Sequence, residues 1–175
     1  MKVLHGLTGS VACTLGEKIA IAYEKEGWIS EAILTHSVGN FEDVGWWRFN
    51  THHTDENEWS EYKSDKHVLH IELVKKSDVF VIAPLSANTL SKIANGICDN
   101  LLTCVARAWD FQKPFIVAPA MNCKMWKHPI TEEHVKKLRS WGITVLEPVE
   151  KTLFCGDTGI GAMTNIENII RVIKI

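Results

Sequence analysis

The chain has 175 residues, of which 46% are hydrophobic and 23% charged, with a formal net charge of −2. This profile excludes a disordered chain and a strongly basic nucleic-acid binder, and it fits one domain with a sizeable core. The longest apolar stretch, Val79 to Leu85, is too short to span a bilayer, and Met1 to Gly6 lacks the apolar run of a signal peptide. Five cysteines without a C-x-x-C pair argue against a disulfide framework or a thiolate zinc site, and a reducing cytoplasm is expected.

In chain order, Lys2 to Leu7 reads as a strand. A helical pattern follows through Val11, Leu15, Ile19, Ala22 and Tyr23 and stops near Gly27. Ala32 to Thr35 is a second strand. His36 to Lys66 reads as irregular with some helix, and the His52-His53 pair as a solvated loop. Leu69 to Lys76 is helical, and Val79 to Ala83 has the composition of a strand buried on both faces. Leu90 to Ala94 and Leu101 to Trp109 are helices, and Phe115 to Ala118 is another buried strand. Thr131 is expected to cap a helix running to Trp141, with Gly142 just past its end. Thr144 to Leu146 is a strand and Ile166 to Ile173 a closing helix. This alternation predicts a single α/β domain over residues 1–175. It is a Rossmann-like open parallel sheet with helices on both faces, a flavodoxin-like three-layer arrangement.

In such sheets ligands sit beyond the carboxyl ends of the strands, where the unusual segments of this chain fall. Gly6 to Val11 offers helix-start amides and the hydroxyls of Thr8 and Ser10, which suit a phosphate; a plain strand-to-helix turn is the commoner explanation of such a run. Ser86, Asn88 and Thr89 exceed what one helix cap needs and can hold a polar ring edge. In Pro119 to Trp126 the two Met and the Trp read as core filler, but Asn122 stands where a ligand would lie, and a neutral amide can grip a carboxylate. Cys155 to Met163 carries three glycines and reads as a mobile flap. His67 and His70 are spaced to share a metal, but no third ligand accompanies them and no metal is expected.

Taken together, these segments resemble the homo-oligomeric flavin-containing cysteine decarboxylases, and most of all the members that serve coenzyme A synthesis. Pro84-Leu85-Ser86-Ala87-Asn88-Thr89 is similar to that family's P-A-S-A-N-T motif, with Leu85 in place of Ala. Pro119 to Trp126 fits its P-x-M-N-x-x-M-W motif in full. His70-Ile71-Glu72-Leu73 resembles the segment of its essential histidine. Phe154-Cys155-Gly156-Asp157 resembles its substrate flap, where Phe154 departs from the usual Ala. The likeness covers nearly the whole chain and is weakest between Val38 and Thr54.

The resemblance implies a flavoprotein that uses FMN to decarboxylate 4'-phosphopantothenoyl-L-cysteine to 4'-phosphopantetheine. It implies a homotrimer with active sites at subunit interfaces, and no nucleic-acid or membrane partner. By motif, Gly9, Ser10, Val11, Ser37, Ser86, Ala87, Asn88, Thr89 and Ala120 would approach the flavin. Asn122 would hold the substrate carboxylate, and Thr152, Phe154 and Met163 would line the pantetheine arm. His70 would serve as base and Cys155 as proton donor in the closing reduction, with His70 and the flap supplied by different protomers. From the length no fused ligase is expected, and the cysteine-adding step is expected to fall to another protein. The rivals are a peptidyl-cysteine decarboxylase that stops at an ene-thiol, a flavin prenyltransferase, and a regulatory phosphatase-binding subunit. Cys155 speaks against the first, the P-x-M-N-x-x-M-W run against the second, and the retained His70, Asn122 and Cys155 without an acidic tail against the third.

Overall fold

Val79 to Leu85 is buried at every position, and the molecule is built around it. The computed structural model of the chain describes residues 1–152, 156 and 158–174, with all side chains in that range except those at 61 and 65. The chain begins with β1 (Lys2–Leu7), a 3-10 segment Val11–Leu15, α1 (Gly16–Lys25) and β2 (Ile29–Leu34). Two further 3-10 segments, His36–Asn40 and Trp46–Arg48, lead to β3 (Thr51–His53), α2 (Asp55–Asp65) and α3 (Leu69–Lys76). Then come β4 (Val79–Leu85), α4 (Ala87–Ala94), α5 (Leu101–Ala108), β5 (Phe115–Pro119), α6 (Cys123–Trp126), α7 (Pro129–Ser140) and β6 (Thr144–Val145). A hairpin of β7 (Val149–Thr152) and β8 (Thr158–Ala162) precedes α8 (Ile166–Ile173).

The six-stranded sheet has the order β3-β2-β1-β4-β5-β6 and is parallel throughout. Side chains alternate across it, as the two-residue period of a strand requires. Leu4, Phe80, Ile82 and Val117 join one core with α3, α4, α5 and α7. Val3, Leu7, Val81 and Ile116 join the other with α1 and α8. Gly6 lets α5 approach: a Cβ there would stand 2.7 Å from Leu102 Cδ1. The three-layer arrangement expected from the alternating pattern is therefore the one observed.

Several local expectations need correction. His52 and His53 are not in a solvated loop but in β3, pairing with β2. His53 is buried and bonds Glu31 Oε2 at 2.9 Å, and Lys76 Nζ reaches the same oxygen at 2.7 Å. These two partners hold the Glu31 carboxyl at about 2, His53 contributing most. His128, not Thr131, caps α7, because Pro129 starts that helix earlier than the apolar pattern indicates. The glycine-rich flap is, over its described residues, half of an antiparallel hairpin and not a loop.

His5 is a buried histidine in β1. One ring nitrogen lies 2.7 Å from the Ala83 carbonyl oxygen, the other 2.9 Å from the Tyr23 hydroxyl. Burial lowers its pKa to about 4, against a smaller opposing effect of the Ala83 bond. The native state therefore refuses a proton that the unfolded chain accepts. His5 leaves stability untouched above pH 6.5, and stability is lost as pH falls from 6.5 toward 4. One such group removes about 2 kcal/mol between pH 7 and pH 5. His134, also lowered mainly by burial, acts in the same direction. Urea unfolding at the two pH values should show this loss in the native sequence and a clearly smaller one in His5→Phe; equal losses would remove His5 from the account.

Candidate active site

In this strand order β1 and β4 are neighbours, and the winding of the chain reverses between them, which opens a crevice at their carboxyl ends. Four loops meet there, and main-chain bonds tie them together. Thr35 N donates to Leu7 O at 3.1 Å, Ala120 N to Leu85 O at 3.0 Å, and Met121 N to Gly161 O at 2.9 Å. Thr8 locks the central pair: its hydroxyl donates to Pro84 O and accepts from Ser86 N, both at 2.8 Å. Thr8 is completely buried, so its hydroxyl is structural and does not serve a phosphate. Gly9 lies so close to the loop after β2 that a Cβ would stand 2.4 Å from Ser37 Cβ.

Around this knot lie the residues singled out by sequence. Ser10 sits at the N-cap of the first 3-10 segment in extended conformation but makes no side-chain cap bond, and Val11 beside it is 47% exposed. Ser37 is exposed. Ser86 caps α4, accepting from Thr89 N at 3.3 Å, with Thr89 buried, Ala87 half-buried and Asn88 exposed. Ala120 is buried at the loop junction. The set is neutral, small and rich in hydroxyls and helix-start amides, with an apolar face at Val11. It fits a phosphorylated flavin, whose phosphate takes such donors and whose ring takes an apolar neighbour.

Asn122 caps α6, its Oδ1 accepting from Lys124 N at 2.8 Å. The same amide carries two N–H donors, and donors are what a carboxylate requires. The hairpin leans on this same segment: a Cβ at Gly161 would stand 2.3 Å from Met121 O, and one at Gly159 would stand 3.1 Å from Cys123 Cβ. Met163 is buried beyond β8, and Thr152 is exposed on β7, where its hydroxyl lies 3.2 Å from that of Thr158. Phe154 and Cys155 lie outside the described residues.

His70 stands apart. It is in the first turn of α3, and its hydrogen-bond partner is Glu58 of α2, not a residue of the four loops. Thr8 was expected as a phosphate ligand and not as a lock, and Glu58 was not expected at all. Each role depends on a contact between separate elements, 76 residues apart for Thr8 to Pro84 and 12 for Glu58 to His70.

The chain matches the family described as Flavoprotein over residues 1–174. A probable phosphopantothenoylcysteine decarboxylase of Arabidopsis thaliana is 46% identical over 176 residues, covering 99% of this chain and 87% of the relative. A phosphopantothenoylcysteine decarboxylase of Glycine max is 56% identical over 124 residues. That match covers 70% of this chain and 59% of the relative, so this chain spans less than two thirds of that protein. Among solved structures, a mutant PPC decarboxylase complexed with pantothenoylaminoethenethiol matches with a TM-score of 0.92 and 46% identity, covering 99% of this chain and 96% of that one. An FMN-binding protein matches with a TM-score of 0.88 and 45% identity, covering 99% and 94%.

Proposed function

Because the chain belongs to the flavoprotein family, we propose that it binds FMN in the β1–β4 crevice and decarboxylates 4'-phosphopantothenoyl-L-cysteine to 4'-phosphopantetheine in coenzyme A biosynthesis. The observation that carries this reading is the full-length likeness, at 46% identity, to a decarboxylase structure holding pantothenoylaminoethenethiol, an ene-thiol that lacks the carboxylate. When bound, FMN supplies the reversible two-electron chemistry that a carboxylate without an electron sink needs before it can leave as carbon dioxide.

The chain's own residues do the rest. Gly9, Ser10, Val11, Ser37, Ser86, Ala87, Asn88, Thr89 and Ala120 hold the flavin. Asn122 presents N–H donors to the substrate carboxylate and keeps the breaking bond oriented. His70 takes the thiol proton at the ring nitrogen that does not face Glu58. Thr152, Phe154 and Met163 border the pantetheine arm, and the β7–β8 hairpin, seated on α6, covers it. Cys155 returns a proton to carbon at the end.

In this reading the protein is a homotrimer with its sites at subunit interfaces. The pairing of His70 with α2 and away from the four loops supports this, because a neighbouring copy can then bring that imidazole to the crevice. A cytoplasmic location accords with the free thiols of Cys13, Cys98, Cys104 and Cys123. Among the described residues, no helix is long and apolar enough to cross a membrane.

Mass spectrometry of a reaction with purified protein and 4'-phosphopantothenoyl-L-cysteine tests the proposal. Phosphopantetheine is the expected product. An ene-thiol product would replace it with peptidyl-cysteine-type chemistry, and no conversion by a flavin-loaded preparation would overturn it.

A further inference from the structure

Glu58 is a carboxylate with little reason of its own to be buried. Its helix, α2, is acidic at its start and polar overall, and it leaves Trp59 and Tyr62 exposed. Yet the Glu58 side chain is only 12% exposed, and Oε1 meets Nδ1 of His70, whose side chain is 27% exposed. A carboxylate withdrawn from water needs a partner, and Glu58 meets one in the imidazole of His70.

Among the described residues, the other ionisable groups around the pair do not compete for the imidazole. On α2, Asp55 lies one turn earlier and accepts from Leu101 N at 2.8 Å. On α5, the thiol of Cys104 is pushed up to about 11, first by burial and then by the charges of Glu58, Cys98 and Asp55. On α3 itself, Glu72 pairs with Lys75 at 3.1 Å, and His67 just before the helix is exposed.

We propose that Glu58 is a positioning residue for His70: it fixes the ring, holds the proton on Nδ1, and leaves Nε2 as the basic nitrogen. An ionised carboxylate can only accept, so Nδ1 must donate to it and the lone pair falls on Nε2. When Nε2 takes the proton of the substrate thiol, no bond but S–H breaks, and the imidazolium that results faces a carboxylate already in place. The arrangement has the logic of a carboxylate behind a working histidine in hydrolases, assembled here from two helices. The proposal rests on His70 being the base in the reaction described above.

The test uses FMN-loaded protein, the native sequence beside Glu58→Gln and His70→Asn, with two readouts. Steady-state kinetics across pH should show kcat of E58Q reduced roughly 10- to 100-fold, the range seen when a metal-bound imidazole loses the partner behind it. KM should change little, because Glu58 touches the imidazole and not the substrate. The ¹⁵N chemical shifts of the labelled, neutral imidazole should show the proton on Nδ1 in the native protein and a mixture of the two tautomers in E58Q. A native His70 with its proton on Nε2 overturns the proposal without recourse to any variant. So does an E58Q enzyme with native kcat, or one whose His70 keeps the native tautomer while thermal stability and activity fall together. Normal turnover by H70N sinks the base assignment instead, and the NMR comparison still decides whether Glu58 governs the protonation of His70.

Discussion

Replacing His70 with asparagine should lower kcat by about 10²- to 10⁴-fold, the span that a positioned base contributes, while the protein keeps its flavin. Asparagine is a stringent choice. Its amide N–H can still bond to Glu58, so the α2–α3 contact made in the native protein by His70 and Glu58 survives. What disappears is a group able to take up a proton near neutral pH. Flavin retention follows from the architecture, because the crevice is tied by Thr8, Leu85 and Gly161 and not by α3. Turnover on 4'-phosphopantothenoyl-L-cysteine and the flavin absorbance of the same preparation measure both halves. Native turnover would remove His70 from the chemistry, and a colourless variant would mean that the ring helps to hold the cofactor.

Thr8→Val should be the most damaging single change to the crevice itself. Valine has nearly the same shape, so no cavity opens, but it strands the Pro84 carbonyl and the Ser86 amide, both now bonded to the threonine hydroxyl at 2.8 Å. Buried groups left without partners cost about 1–3 kcal/mol each, so a loss of about 3 kcal/mol is expected, or a Tm lower by roughly 6–12 °C. The lock sits directly beneath Ser86 and Gly9, so flavin occupancy should fall as well. Thr8→Ser keeps the hydroxyl and should keep both properties. Differential scanning fluorimetry with flavin quantitation reads the effect. A T8V protein as stable and as yellow as the native one would show that the remaining main-chain ties suffice.

The long elements were legible because their patterns follow directly from burial. Val79 to Leu85 is uniformly apolar because both of its faces are covered, and α8 is sharply two-sided because Ile169 and Ile173 are buried in the core while Ile166, Ile170 and Val172 pack against it partly buried. β3 was not legible. Thr51-His52-His53 has no strand composition, and it becomes a strand only because β2 offers a free edge and Glu31 pairs with His53. The hairpin was missed for a related reason: three glycines argue for a loop, while the cause of the pairing, close backbone contact at Met121 and Cys123, comes from a distant segment. At the site, motifs located the four loops but not what joins them. Thr8 offers the same hydroxyl to the reader whether it binds a ligand or a neighbouring loop. Glu58, set among Asp55, Glu56, Trp59 and Ser60, looks like any solvated helix residue until α3 is packed against it.

The two ends of the central sheet carry a consequence for how copies of this chain can associate. β3 pairs at three positions and β6 at two, so the margins of the sheet offer only a stub of unsatisfied backbone on each side. The Glu31–His53–Lys76 cluster further charges the first of them. Long bare margins invite strand-by-strand accretion between molecules; margins this short give an incoming strand almost no template. Self-assembly of this protein is thereby steered to its helices and loops, where side chains decide the geometry and number of partners, and away from open-ended growth through the backbone.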